Sequence, residues 1–187
     1  LFRSIHNSRT VNFRSDRASS NMNLPSSRTI FLIVFLGCTG LMGVALFMEH
    51  VMGLEPCNLC ILQRVAVIAT ALIALVAAIH GPAVNGIKTY AGFGMLASAT
   101  GAGVSGRQLW LQSLPPEQVP ACGPSLDYLI DVFPLTEVLS MVLAGDGDCA
   151  EVVWSFLGIS IPGWTLVGFF GLIAICGFVF VKPKYKD

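Results

Sequence analysis

The sequence predicts an all-α membrane protein, a four-transmembrane-helix bundle with a short amphipathic helix in its second outward loop. Of its 187 residues, 54% are hydrophobic and only 12% are charged, and the mean hydropathy is +0.72. A soluble domain carries about 25% charged residues, so the bilayer is the expected solvent. The chain also contains four apolar runs, each near the roughly 20 residues that a helix needs to cross the hydrocarbon core. Four such runs in so short a chain argue against a soluble protein with buried helices.

The apolar runs divide the chain into spans and loops. The predicted spans cover residues 29–48, 61–79, 89–110 and 163–181. Their only charged residues are Arg64, near the start of the second span, and Arg107, near the end of the third. The remaining segments are a cytoplasmic N-terminal segment, two outward loops and a cytoplasmic tail, at residues 1–28, 49–60, 111–162 and 182–187.

Basic residues set the orientation, because Lys and Arg are enriched in cytoplasmic segments of membrane proteins. They cluster before the first span, at Lys88 in the second connection, and after the last span. The two other connections contain no Lys or Arg, and the charges of the long loop are acidic; Arg107 lies just before that loop, near the end of the third span. We therefore expect both termini in the cytoplasm, with the other two loops facing the exterior or periplasm. The zero net charge argues against a nucleic-acid partner.

The first 21 residues are polar, begin with Leu1 and lack the apolar segment of a secretory signal. We interpret residues 1–21 as an upstream extension or processing remnant, with Met22 as the natural start. The predicted orientation does not depend on them, since Arg28, Lys88 and three C-terminal lysines remain on the cytoplasmic side.

Six cysteines fall into two groups. Two lie inside predicted spans, where a free cysteine behaves as a small hydrophobe: Cys38 and Cys176. The other four fall in the outward loops: Cys57, Cys60, Cys122 and Cys149. In an oxidising compartment these four can form two disulfides, one within "CNLC" and one between Cys122 and Cys149.

The "CNLC" pair is open to three interpretations: a redox pair, a structural staple or half of a zinc site. A four-cysteine zinc site usually has two close pairs, whereas 26 residues separate Cys122 from Cys149. A structural bridge constrains the unfolded chain more when it closes a longer loop. Redox use is favoured, because Pro56 can stand near a helix start and a helix N-terminus stabilises a thiolate.

Arg64 follows Cys60 by four residues and Cys57 by seven, so a helix that starts at Cys57 places all three along one stripe. A cation in the bilayer is costly unless it is paired or reaches the interface. One interpretation is an anchor whose head extends to the interface. The other is a cation that raises the thiolate fraction of Cys60 and donates hydrogen bonds to a lipid-soluble oxidant such as a quinone.

The second outward loop is longer than a simple connector. Cys122 stands in "PACGP", between prolines that remove backbone donors and favour extended backbone. This pattern predicts either an exposed thiol that a partner's groove takes as a peptide, or a tight turn. The segment "FPLTEVLSMVLAG" repeats apolar residues at helical spacing, and we expect an amphipathic helix on the bilayer surface.

These features together resemble the bacterial disulfide bond formation protein B (DsbB) family. The resemblance is carried by "CNLCILQR", "LPPEQVPACGPSLDYL" and "GDCAEVVWSFLGISIPGWTL", and it covers most of the chain from Met22 onward. It implies a multi-pass enzyme of the bacterial inner membrane, a protein-disulfide:quinone oxidoreductase. The implied partner is DsbA, a soluble periplasmic oxidase of thioredoxin fold, and the implied cofactor is ubiquinone or menaquinone. The resemblance implies no metal.

The resemblance also implies a role for each outward cysteine. Cys122 would form a mixed disulfide with DsbA, and Cys149 would be its partner in the outer bridge. Cys57 and Cys60 would form the quinone-side pair, with Cys60 facing the quinone ring. A transient bridge between Cys57 and Cys149 is expected during the relay.

Two cofactor contacts follow from the same resemblance. Arg64 matches the family arginine beside the quinone. Some relatives carry a histidine near the outer end of the third span, where this chain has Gln108, which could still donate a hydrogen bond.

Two functions of other classes remain as alternatives. One is a structural membrane protein whose four outward cysteines are inert disulfide staples. The other is an extracytoplasmic zinc-binding sensor. Loss of activity on substitution of one cysteine would distinguish the enzyme from the first, and metal analysis would distinguish it from the second.

Overall fold

The computed structural model describes residues 25–184 and is built mainly of helices. Its elements in chain order are α1 (Ser27–His50), α2 (Asn58–His80), α3 (Val84–Gln112), a 3₁₀ turn (Pro116–Gln118), α4 (Leu126–Val132), α5 (Leu135–Ala144), α6 (Gly147–Ala150), β1 (Ser155–Phe156), β2 (Ile159–Ser160) and α7 (Ile161–Val181). The predicted upstream extension at residues 1–21 and the end of the predicted tail lie outside the described residues.

Local signals in the sequence account for several helix ends. The side chain of Ser26 accepts a hydrogen bond from the backbone N–H of Thr29 at 3.3 Å and so caps α1. Gly81 ends α2 with a φ of +56°, a conformation that glycine adopts without strain. Pro162 lies in the first turn of α7, where its missing N–H has no partner to lose.

Three of the four predicted spans coincide with helices that are long and apolar enough to cross a membrane. Over an 18-residue window, α1, α2 and α7 have mean hydropathies of 2.5, 2.3 and 2.3. The third predicted span, residues 89–110, lies within α3, which has 29 residues but is not among the helices of that apolar composition in the described range. That α3 crosses the membrane therefore stays a prediction.

The position of α3 explains its composition. It packs against both α2 and α7, while α1 packs on α2. The buried face of α3 therefore carries small or polar residues, such as Ser98, Gly101 and Ser105. Such residues let helices approach closely inside a membrane bundle. Phe93 and Leu96 of the same helix are 57% and 63% exposed, as expected where a helix meets lipid.

The core of the bundle combines small residues with a few large rings. Ala74 and Ala77 of α2 and Ala91 of α3 are buried in one cluster with Phe31 and Phe169. The ring of Phe169 lies directly over Gly101, where an added Cβ would overlap it. Close contact between α3 and α7 therefore depends on the absence of a side chain at this position.

The segment between α3 and α7 contains a helix where one is predicted. α5 follows Pro134 and ends at Gly145, whose φ of +76° favours glycine. Val138 and Val142 of α5 are buried beside α4, while Leu135 is 77% exposed. The position of α5 on the bilayer surface stays a prediction.

A short hairpin of β1 and β2 departs from the predicted all-α fold. It pairs Ser155 with Ser160 and turns through Leu157 and Gly158, whose φ angles are +54° and +78°. Two positive φ angles in a two-residue turn suit the twist of a tight antiparallel hairpin. Strands of two residues are too short to produce a detectable alternation of apolar and polar residues.

We expect Gly101→Ala to destabilise the bundle, because the new Cβ would overlap the buried ring of Phe169. Overpacking of this kind costs about 1–3 kcal/mol. The midpoint of thermal unfolding in detergent measures the effect. Gly103→Ala is the matched control on the same helix, since no atom lies within 4 Å of its added Cβ. Equal midpoints for the two variants would contradict the close α3–α7 contact.

Candidate dithiol site

Two cysteine-bearing segments meet where α2 begins and α3 ends. Cys57 is the N-cap of α2, Cys60 lies in the first turn of α2, and Cys149 lies in α6. Cys149 is fully buried, and Cys57 packs against the cluster that contains it and Leu59. We call Cys57 and Cys60 the inner pair, and Cys122 and Cys149 the outer pair. The inner pair and the buried member of the outer pair therefore share one cluster.

The structure describes the reduced protein. All six cysteines lie within residues 25–184 and are free thiols. The Cys57 thiol donates to Cys60 Sγ at 3.2 Å, which is longer than the ~2.05 Å of a disulfide bond. The predicted bridges within the inner pair and within the outer pair therefore stay predictions.

The sulfur of Cys149 lies at the N-terminus of α2. The Cys57 thiol, whose one proton is shared between Cys149 and Cys60, donates to it, and so do the backbone N–H groups of Leu59 and Asp146. The pKa of Cys149 is therefore lowered, against the opposing effects of burial and of the Asp146 side chain. The first N–H groups of a helix have no partner within the helix and stabilise negative charge. The sequence predicts this stabilisation for the "CNLC" thiols, and the structure extends it to a cysteine of the other loop.

The same contacts act on Cys57 in the opposite direction. Hydrogen bonds from its thiol to Cys149 and Cys60 raise the pKa of Cys57, and burial adds to the effect. In the reduced protein Cys57 therefore holds its proton more tightly than Cys149 does. The thiolate is the nucleophile in thiol–disulfide exchange, so Cys149 is suited to attack and Cys57 to be attacked.

Cys122 has different surroundings from Cys149. Its thiol is exposed and hydrogen bonded to the carboxylate of Asp148, which raises the pKa of Cys122. Its segment lies against α6, since Gly147 N–H donates to the carbonyl of Ala121 at 3.2 Å. A thiol with a lower pKa leaves faster in exchange reactions. Attack on an outer bridge is therefore favoured at the exposed Cys122, with Cys149 as the leaving group.

A chain of buried polar side chains runs from the inner pair into the bundle. Gln108 Nε2 of α3 lies 3.3 Å from Cys57 Sγ and 3.3 Å from Cys60 Sγ. Gln108 Oε1 accepts from Gln63 Nε2 at 2.7 Å, and Gln63 Oε1 accepts from the hydroxyl of Thr165 at 2.6 Å. Each amide therefore sets the orientation of the next, and the chain ends with an N–H group directed at the sulfurs.

Gln108 is predicted as a cofactor contact. In the structure it is 3% exposed, and both ends of its amide contact protein groups. The structure therefore describes a contact with the inner pair, and contact with a cofactor stays a prediction.

Arg64 lies about one turn beyond Cys60 on α2 and forms an ion pair with Glu49 near the end of α1. The two side chains are 22% and 29% exposed, so the pair is partly shielded. The carboxylate explains how a cation is held beside an apolar helix, since an unpaired charge there is costly. α2 begins at Asn58, one residue later than the predicted stripe assumes, so that Cys57 is the cap and not the first helical residue.

Several polar side chains at this site are absent from the predicted set: Glu49, Asn58, Gln63, Asp146, Asp148 and Thr165. Gln63 has a signal in the sequence, because a polar residue in an apolar span implies a partner. Asp146 has one as well, since an aspartate three residues before Cys149 is typical of an N-cap. For the remaining four residues, nothing in the neighbouring sequence indicates the contacts that they make at the site.

Comparison with known proteins identifies the family of this chain. A family model described as "Disulfide bond formation protein DsbB" matches residues 27–179. The chain belongs to the DsbB family.

Relatives named "Disulfide bond formation protein B" match most of the chain. The one from Saccharophagus degradans is 58% identical over 152 residues, which are 81% of this chain and 92% of the relative. The one from Marinobacter nauticus is 55% identical over 161 residues, or 86% of this chain and 95% of the relative. The one from Hahella chejuensis is 51% identical over 157 residues, or 84% and 95%.

Membership in the DsbB family and the apolar helices identify a multi-pass membrane protein and an oxidoreductase of disulfide bond formation. This favours the redox interpretation of "CNLC" over an inert staple. Within residues 25–184, no group of three or more His, Cys, Asp or Glu is arranged to hold a metal ion.

We expect Asp148→Asn to speed the alkylation of Cys122 near neutral pH. The carboxylate raises the pKa of Cys122 by accepting its proton and by its charge, so its removal lowers that pKa and increases the thiolate fraction. The measurement is the rate of iodoacetamide labelling of Cys122 in the reduced protein, followed by mass spectrometry. Asp127→Asn is the control, since Asp127 does not act on this thiol. Equal rates in both variants would contradict the contact.

Proposed function

We propose that this chain is a protein-disulfide:quinone oxidoreductase of the bacterial inner membrane. It reoxidises a periplasmic thioredoxin-fold oxidase of the DsbA type and passes the electrons to a membrane quinone. The observation that carries this proposal is the contact of Cys149 with Cys57, whose Sγ lies 3.2 Å from Cys60 Sγ. This contact supports a path of disulfide exchange from the exposed Cys122 to a thiol at the start of an apolar helix.

The first exchange begins at the exposed sulfur. A thiolate of the reduced partner attacks Cys122 in the outer bridge, forms a mixed disulfide and releases Cys149 as a thiolate. The lowered pKa of Cys149 and the raised pKa of Cys122 support this direction. The partner's second thiol then attacks the mixed disulfide, which releases the oxidised partner and leaves Cys122 reduced.

The second exchange transfers the electron pair to the inner pair. The Cys149 thiolate attacks Cys57 in the inner bridge, forms a Cys57–Cys149 bridge and releases Cys60 as a thiolate. Attack by Cys122 on Cys149 then restores the outer bridge and leaves Cys57 as a thiol. The N–H group of Gln108, 3.3 Å from Cys60 Sγ, stabilises the charge that appears there.

The surroundings of Cys60 fit a lipid-soluble oxidant. Arg64 has five N–H donors, of which the ion pair with Glu49 occupies only a part. Val65 and Ile68 of the same helix are exposed apolar residues. A membrane quinone, when bound, takes up two electrons and two protons from a dithiol. Cys60 would face it and Arg64 would hold it, and this donor set suits ubiquinone or menaquinone, since both rings carry two carbonyl oxygens.

The contact between the two loops supports the proposed topology. Asn58, at the start of α2, and Asp146, in the long loop, lie 2.9 Å apart, which supports placing both cysteine-bearing segments on one side of the membrane. In this arrangement α2 and α7 would begin on the same side, and α3 would cross back between them as the third of four spans. The distribution of Lys and Arg assigns the cysteine side to the periplasm and both termini to the cytoplasm.

We expect Cys60→Ser to abolish quinone reduction by reduced DsbA, because a hydroxyl can neither form the inner bridge nor leave as a thiolate. The measurement is the fall in quinone absorbance in an anaerobic detergent solution, with ubiquinone and menaquinone in turn. Cys176→Ala is the control, since Cys176 is a buried thiol of α7 outside the relay. If the cysteines were inert staples, Cys60→Ser would lower only the stability of the protein. Full quinone reduction by Cys60→Ser refutes the proposal.

We expect Arg64→Ala to raise the KM for quinone by about 10- to 100-fold, because the quinone would lose a hydrogen bond from a charged group. The rate of exchange with DsbA should change far less, because Cys122 and Cys149 do not contact Arg64. Steady-state kinetics give the KM, and trapping of the mixed disulfide gives the exchange rate. Arg107→Ala is the control, since that cation contacts the carbonyls of Leu143 and Ala144 instead. Equal effects on both steps would argue against a quinone at Arg64.

A further inference from the structure

Asn58 lies between the two cysteines of the inner pair and contacts the outer loop at two points. Its Nδ2 donates to Asp146 Oδ2 at 2.9 Å and lies 3.4 Å from the carbonyl oxygen of Pro124. Neither contact is needed to begin α2, whose N-cap is Cys57. Asn58 therefore joins the inner pair to the segment that follows Cys122.

Asp146 extends this connection to Cys149. Its Oδ1 accepts the backbone N–H of Cys149 at 3.2 Å, as the N-cap of α6. The side chain is buried, and each carboxylate oxygen has an N–H donor. A buried carboxylate that loses a donor is strongly destabilised, so the bond to Asn58 constrains where α6 can lie.

The same carboxylate lies against the segment of Cys122. An added Cβ at Gly147 would be 3.2 Å from Cys122 Sγ, and one at Gly123 would be 3.1 Å from Asp146 Cβ. These approaches are tighter than ordinary contacts, so both glycines allow the segments to pack closely. The hydrogen bond of Asn58 to Asp146 thus links the three segments that carry the four outward cysteines.

We propose that Asn58 and Asp146 are positioning residues for disulfide exchange between the outer and inner pairs. They hold Cys149 against Cys57 while the Cys149 thiolate attacks the inner bridge. That step forms the Cys57–Cys149 bond, breaks the Cys57–Cys60 bond and releases the Cys60 thiolate, so it needs no other oxidant. The inference rests on the proposed function and adds the residues that set the effective concentration of the two sulfurs.

The test isolates the contact of Cys57 with Cys149 in the full chain. In a background of Cys60→Ser and Cys122→Ser, these two are the outward thiols that remain. Purified protein in detergent is equilibrated with reduced and oxidised glutathione, and the bridged fraction is measured by alkylation and mass spectrometry. The ratio of bridged to reduced protein, at known concentrations of reduced and oxidised glutathione, gives the effective concentration of one thiol at the other.

Asn58→Ala is expected to lower this effective concentration about tenfold, because a hydrogen bond to a buried carboxylate is lost. Asn58→Asp lowers it further, since two carboxylates then face each other. Combining Asn58→Asp with Asp146→Asn restores it, because the amide at position 146 can donate to the carboxylate at position 58 while its oxygen still caps α6.

Ser160→Ala is the matched control. It removes the 2.8 Å hydrogen bond of Ser160 to Gln112 near the same end of the bundle and is expected to leave the effective concentration unchanged. The bridged fraction is measured well below the thermal unfolding midpoint of each variant, so that the stability lost when the Asp146 carboxylate loses a donor is separated from a change in positioning.

Two outcomes overturn the positioning role and leave the proposed function standing. One is an unchanged effective concentration in Asn58→Ala, and the other is a loss that the double exchange does not restore. If the background protein forms no bridge between Cys57 and Cys149, the relay of the proposed function fails, and this inference fails with it.

Discussion

Cys149 lies against the first turn of α2, where its sulfur meets the thiol of Cys57 and the N–H group of Leu59. The rest of the site depends on this contact, because it joins Cys57 and Cys149, which are 92 positions apart in the chain. It buries one sulfur and lowers its pKa, while Cys122 stays exposed with a raised pKa. A difference in leaving-group strength between the two outer sulfurs is thus built into the fold, and it favours one direction of exchange.

Buried polar side chains of the helix bundle support this contact, and they replace apolar residues in the helices that carry them. α3 supplies Gln108 to the inner pair, and Gln63 and Thr165 supply the next links from α2 and α7. Within residues 25–184, every buried side-chain N or O atom has a hydrogen-bond partner. A buried amide with a missing partner would be costly in a bilayer, so each link keeps the next in place. Gly101 contributes in another way, since its missing side chain admits the ring of Phe169.

Local signals in the chain account for the predictions that hold. Hydropathy is summed over neighbouring residues, so the apolar segments that form α1, α2 and α7 are evident without a structure. Pro134 and Gly145 bound α5 as predicted, because both act through their own backbone. The same reasoning overlooks the hairpin of β1 and β2, whose strands are too short to show a pattern. Nothing near Gln108 in the sequence shows that Cys57 and Gln63 are its partners in the structure, and its contact with a cofactor stays a prediction.

The sequence by itself determined that this is an apolar, mainly helical membrane chain of the DsbB family with four cysteines in two of its connecting segments. Composition and cysteine spacing are sufficient for that, because both are properties of short stretches. Only the tertiary structure decided which of those cysteines is buried and which groups reach the sulfurs. The hydrogen bonds of Asn58 to Asp146 and of Thr165 to Gln63 join residues 88 and 102 positions apart. Such partners are selected by helix packing, in which small residues and a few rings decide which helix faces meet.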